Sequence, residues 1–95
     1  MRNSDPIHPG VTLKEDFMAP HNLSANKLAN ILGVPQNRIS SIVRGQRSIT
    51  ADTALRLERA FSVSARFWLN LQQQYDLIIA SQKAENLDDI ENLAA

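Results

Sequence analysis

Apolar residues recur along this chain at helical spacing and nowhere alternate with polar ones as they would on a half-buried strand, so five helices and no sheet are predicted. The first runs roughly from Val11 to Met18 behind Pro9-Gly10, with Leu13 and Phe17 on one core face. Pro20 is expected to end it, because proline disfavours helix in the residue before it. Ser24 caps a second helix whose Leu28, Ile31 and Leu32 form an i, i+3, i+4 stripe, and Gly33 closes it. Pro35 opens a third, with Ile39, Ile42 and Val43 facing inward and Gly45 stopping it. Thr50 caps the fourth, which carries Asp52 in its first turn and Ala54, Leu57 and Phe61 along one face.

Ser64 caps a longer fifth helix. Phe67, Trp68, Leu71, Tyr75, Ile78 and Ile79 fall in one broad sector at ~100° per residue, and Leu69 and Leu77 fall outside it. The aromatic spacing reads as core or dimer packing rather than a ligand-stacking cluster. Residues 1–81 are therefore expected to form one domain. Residues 82–95 are an acidic tail, with Leu87, Ile90 and Leu93 three apart, that is either weakly helical or disordered.

The second and third helices have helix-turn-helix spacing as well as order. Ala29 is small where two helices must approach, Gly33 sits at the turn four residues later, and Ile39 and Ile42 enter the core ten and thirteen residues after Ala29. Opposite that core side the third helix presents Asn37, Ser40, Ser41 and Arg44, with Gln36 projecting from its first turn and no acid on the face. Gln and Asn can bond bidentately to adenine, Arg to guanine, and Ser to most bases, so these five are the candidate base-contacting residues of a major-groove reader. Ser24, Asn26, Lys27, Arg38, Arg47, Ser48 and Thr50 are the candidate phosphate contacts, which fix register without reading sequence. The backbone amides that open the second and fourth helices suit the same role.

Charge changes this picture only when it is divided along the chain. The 95 residues have a net charge of zero, which by itself argues against a polyanionic partner. Residues 21–70, however, hold seven basic side chains against Asp52 and Glu58, whereas residues 71–95 hold Lys83 against five acids. The helix-turn-helix is basic and the tail acidic. With no cysteine, neither a disulfide framework nor a thiolate metal site can be proposed, and a cytoplasmic setting is the default expectation. The longest aliphatic run, Leu77 to Ala80, is far short of a membrane span. The two histidines, His8 and His21, have neither paired carboxylates around them nor metal-ligand spacing, so no catalytic residue, metal or cofactor is expected; His8 reads as the residue that starts the first helix.

The segments HPGVTLKEDF, LSANKLANILGVPQNRISSIVRGQRSIT, ADTALRLERAF and SARFWLNLQQQYDL resemble the HigA/VapI-type antitoxins, a branch of the lambda-repressor-like DNA-binding proteins, over roughly residues 7 to 79. The helix-turn-helix portion is shared by many repressors; the opening HPG and the late FWLNLQ and YDL are narrower. The resemblance implies an all-α, five-helix lambda-repressor-like domain and a homodimer on the double-stranded DNA of a palindromic operator. It also implies autorepression of a two-gene operon and neutralisation of a HigB-like mRNA-cleaving toxin. For the dimer, Leu69, Tyr75, Leu77 and Ile78 on the fifth helix are the candidate interface. Ser62 departs from the family, where a glycine is usual, and so does His21-Asn22 in place of a more apolar pair; both concern local caps. A stand-alone repressor without a toxin, and a toxin-binding module that has lost DNA binding, are the alternatives; the polar face of the third helix speaks against the second.

Overall fold

Five α-helices follow one another in the computed structural model, which describes residues 5–94: α1 (Pro9–Thr12), α2 (Ala25–Leu32), α3 (Gln36–Val43), α4 (Ala51–Phe61) and α5 (Ala65–Lys83). No strand occurs among the described residues. The core is built from all five helical segments, with Leu13 and Met18 from the first, Leu28, Ala29 and Leu32 from α2, Ile39 and Ile42 from α3, Ala54 and Leu57 from α4, and Trp68 from α5. Ile49 joins them from the loop between α3 and α4. Ala29 is fully buried, as the close approach of α2 and α3 requires.

The first helical segment is longer than the sequence pattern predicts. It begins at Pro9 rather than Val11, and after α1 it runs on as a π-helical stretch, Leu13–Met18, and a 3-10 turn, Ala19–His21. Pro20 does not end it. Ala19 keeps helical angles (φ −60°, ψ −45°), and in the wider π spacing its N–H bonds to the carbonyl of Lys14, five residues back. Pro20 then stands near the start of the tighter turn, where a missing N–H is least costly. Asn22 closes the segment in the left-handed region, and His21 sits within bonding distance of the Phe17 carbonyl through Nδ1 (2.9 Å).

Two further expectations are corrected. Ile31, expected in the core stripe of α2, is 57% exposed: it lines an open groove between α2 and α4 with Arg56, Arg59 and Ala60. Ile78, expected in the packed sector of α5, is 43% exposed and lines an open groove with Ile7, Pro9 and Tyr75 instead of entering the core, whereas Leu77, expected outside that sector, is exposed as well. The molecule is long, 51 × 28 × 21 Å. In the tail only Leu87–Asp89 form a 3-10 turn, and every described residue beyond α5 is exposed.

Ser64 caps α5 by accepting from the Phe67 amide at 3.1 Å, and Glu58 accepts from the Ala65 amide at 3.2 Å, so the α4–α5 corner is held from both sides. Ser62, at that corner, is the C-cap of α4 with φ 58°. A non-glycine residue there carries roughly 1–2 kcal/mol of left-handed strain. Glycine would relieve it at some cost in unfolded-chain entropy. Ser62→Gly is therefore expected to stabilise the fold by about 1 kcal/mol, read as a higher urea midpoint; a lower midpoint would contradict the strain.

Candidate nucleic-acid interface

Helix α3 is fixed from within by Ile39 and Ile42, both fully buried, and this fixes what it shows to solvent. Gln36, Asn37 and Arg44 are exposed and Ser40 and Ser41 half-buried, so the five predicted base-contacting residues share one outward face. Arg44 ends the helix with its Nε 3.3 Å from Gln46 Oε1. Gly45 follows in the left-handed region (φ 77°), which turns the chain while the Gln46 amide still bonds the Ser41 carbonyl at 2.8 Å.

The loop from Gly45 to Thr50 then carries exposed Arg47, Ser48 and Thr50 past the end of α3, with buried Ile49 as its anchor. Arg47, Ser48 and Thr50 line a cleft of about 180 Å³ together with Arg38, Asp52 and Thr53. Four of the seven predicted phosphate residues thus meet in one place. Thr50 stands at the predicted N-cap of α4, but its hydroxyl makes no bond to the first turn, a correction to the capping role expected of it. The first amides of α4 lack that internal acceptor, which leaves them to an outside one. Ser24, Asn26 and Lys27 lie apart from this cleft at the start of α2, where Ser24 Oγ accepts from the Lys27 amide at 3.1 Å and Asn26 and Lys27 are exposed.

Electrostatics within the cleft are mixed. Asp52 accepts from Arg38 at 2.6 Å and from Arg56 at 2.9 Å, and these guanidiniums, Arg56 first, hold its carboxyl below the usual carboxylate range. Arg38 thereby ties α3 to α4. Arg56 also donates to the Leu32 carbonyl at 2.8 Å, closing the end of α2 against α4. Sequence reading counted Arg56 only as part of a basic stretch; its clamp joins residues 24 positions apart and leaves no local signal.

Gln72 was missed for the same reason. It is 6% exposed on α5, accepts from the Ile49 amide at 2.8 Å and donates to Asp76 at 3.0 Å. The dimer candidates on that helix divide into Leu69 and Tyr75, half-buried, and Leu77 and Ile78, exposed. Trp68 Nε1 is buried without a hydrogen-bond partner among the described residues, so the indole serves the core by volume, packed against Phe17 (ring centroids 4.7 Å).

His8 starts α1 as expected. Its Nδ1 accepts from the Gly10 amide at 2.9 Å, and its ring meets Tyr75 edge-on at 4.9 Å. Burial pushes its pKa below the ordinary 6.5, with the Asp76 charge pulling the other way. A histidine lowered in the folded state supports the fold above its unfolded pKa, and that support is lost as pH falls through the folded value. Thermal stability is therefore expected to drop as the pH falls from neutrality to about 5. His8→Asn, which keeps a capping oxygen, should flatten the drop; an equal drop in wild type and variant would exclude His8 as its source.

Among the described residues no three His, Cys, Asp or Glu side chains gather as a metal site, and no helix is long and apolar enough to cross a membrane. The helix-turn-helix family profile matches residues 13–68. The chain is 51% identical over 84 residues to virulence-associated protein I of Dichelobacter nodosus, covering 88% of this chain and 78% of that one. It is similar to the structure of an addiction module antidote protein of a HigA family from Coxiella burnetii, with a TM-score of 0.87 and 44% identity over 94% of this chain and 98% of that. It is also similar to the structure of Pseudomonas aeruginosa antitoxin HigA with the higBA promoter, with a TM-score of 0.86 and 42% identity over 93% and 98% of the two chains.

Proposed function

Starting from the fact that the chain belongs to the helix-turn-helix family, in the branch of the HigA antitoxins, we propose that it is a DNA-binding repressor and antitoxin rather than an enzyme. The observation that carries the DNA-binding half is the exposed, acid-free face of α3 beside the cleft at the start of α4. In this reading Gln36, Asn37, Ser40, Ser41 and Arg44 meet base edges in the major groove. Arg47, Ser48 and Thr50, with Ser24, Asn26, Lys27 and Arg38, meet phosphates. Arg38 does so from within its ion pair with Asp52.

The protein then acts as a two-fold dimer on a palindromic operator, its recognition helices roughly 34 Å apart. Leu77 and Ile78, exposed in the last turns of α5, support an interface there with Leu69 and Tyr75. The antitoxin half rests on the relatives: the chain represses its own operon and neutralises a HigB-like mRNA-cleaving toxin in the cytoplasm. The acidic end of the chain suits a basic, RNA-binding partner.

The test is binding to the DNA upstream of the chain's own gene, against random duplex. Asn37→Ala and Ser41→Ala are expected to relax sequence preference at about 1–3 kcal/mol each. Arg47→Ala should weaken both DNAs alike and lower the salt slope by about one unit. Equal loss on operator and random DNA for Asn37→Ala would remove the base-reading role from α3.

A further inference from the structure

The loop between α3 and α4 is held at both ends by residues outside the helix-turn-helix. At Gly45 it is backed by His8: a Cβ built on that glycine would lie 3.7 Å from Cγ of the ring. At Ile49 its amide donates to Gln72 of α5, a bond that is itself buried. Between these two points lie Gln46, Arg47 and Ser48, and immediately after them Thr50.

A buried glutamine on a helix otherwise packed with apolar and aromatic residues needs a reason, since desolvating an amide without partners costs about 1–3 kcal/mol in protein cores. Gln72 has both partners, one on each side of its amide. Its oxygen satisfies a loop N–H that no helix or strand supplies with an acceptor, and its nitrogen is oriented by Asp76, which fixes which end faces the loop. Replacing it with an apolar residue would keep the packing and leave the Ile49 amide unsatisfied.

We propose that Gln72 is a positioning residue for DNA binding: by holding the Ile49 amide it sets where Arg47, Ser48 and Thr50 stand relative to α3, and so presents the phosphate contacts in register with the base-reading face. The proposal rests on the DNA-binding reading above. Gln72 touches no nucleic acid itself and acts through the loop backbone. A helix outside the reading motif thereby controls the electrostatic part of affinity.

The experiment uses the full chain with its upstream operator DNA and a random duplex of the same length. Gln72→Leu, confirmed helical and folded, is expected to bind both DNAs about tenfold more weakly and to show a salt slope shallower by about one unit, the signature of a lost phosphate contact. Amide hydrogen exchange should show Ile49 protected in the wild type and fast in Gln72→Leu. Asp76→Asn keeps an oxygen for the Gln72 amide and is expected to leave the slope and Ile49 protection in place. A folded Gln72→Leu with unchanged affinity and slope overturns the proposal, as does a loss of affinity with an unchanged slope. Should Gln72→Leu fail to fold, the wild type still decides: an Ile49 amide exchanging as fast as that of Ser48 overturns it. A wild-type protein that binds no DNA removes the DNA-binding reading and this proposal with it, whereas failure of Gln72→Leu alone leaves that reading standing.

Discussion

Gly10→Ala is expected to destabilise the fold by about 3 kcal/mol, a large part of the roughly 5–15 kcal/mol that holds a small domain. Helix propensity alone predicts the opposite sign, since alanine is favoured over glycine inside a helix by about 1 kcal/mol. Sterics decide. A Cβ on Gly10 would overlap the Ile42 carbonyl oxygen, come within 2.8 Å of its carbonyl carbon and within 3.1 Å of Val43 Cα. All three are backbone atoms of α3 or its end, so no side chain can swing aside; α1 must lift from α3, and Leu13 and Ile42 lose core packing with it. Gly33→Ala is the comparison. There φ is +72° but the nearest atom is Arg56 Nη1 at 3.5 Å, so only the left-handed strain of roughly 1–2 kcal/mol applies. Urea unfolding of both variants checks the order, and a Gly10→Ala midpoint above that of Gly33→Ala would refute the close approach.

The second large effect is functional. Changing Asn37 and Arg44 together to alanine should abolish operator repression while leaving the fold and toxin rescue intact. Each loss of a good base contact costs about 1–3 kcal/mol. The two positions are seven residues apart, about 10 Å along the helix, far enough for the losses to add to about 2–6 kcal/mol. Specific binding typically exceeds non-specific binding by about 4–10 kcal/mol, so roughly half of the discrimination goes. Both side chains are exposed and support no core contact, so thermal unfolding should not move. Growth rescue and operon repression, measured side by side in cells making the toxin, separate the outcomes. A folded double variant that loses rescue as completely as repression would mean that one surface serves both functions.

What the sequence made legible was whatever leaves a local trace. Ser24, Gly33, Gly45 and Ser64 mark helix ends because caps and left-handed turns demand particular residue types within a few positions, and all four stand where expected. The outward face of α3 was legible for the same reason: Ile39 and Ile42 define the inward side, and periodicity then assigns the opposite one. Periodicity shows which residues share a face but not whether another element covers it. Ile31 and Ile78 therefore looked like core and are exposed. The Pro20 rule was overridden by a π-helical stretch, whose hydrogen-bond spacing no residue type announces. Gln72 and Arg56 act across 23 and 24 positions, and Gly10 across more than thirty, so their roles depend on the assembled fold.

The seat of Gly10 on α3 has one more implication, for how such proteins diverge. The nearest atoms to a Cβ on Gly10 are all main-chain atoms of Ile42 and Val43. The contact fixes where α3 lies but is blind to the side chains that helix carries outward. Gln36, Asn37, Ser40, Ser41 and Arg44 can be exchanged one by one without disturbing it, provided Ile39 and Ile42 remain. With the base-reading role proposed for these five residues, a duplicated copy of this chain would drift to a different operator while its scaffold stays as it is, and the variable part of the protein reduces to one face of two helical turns.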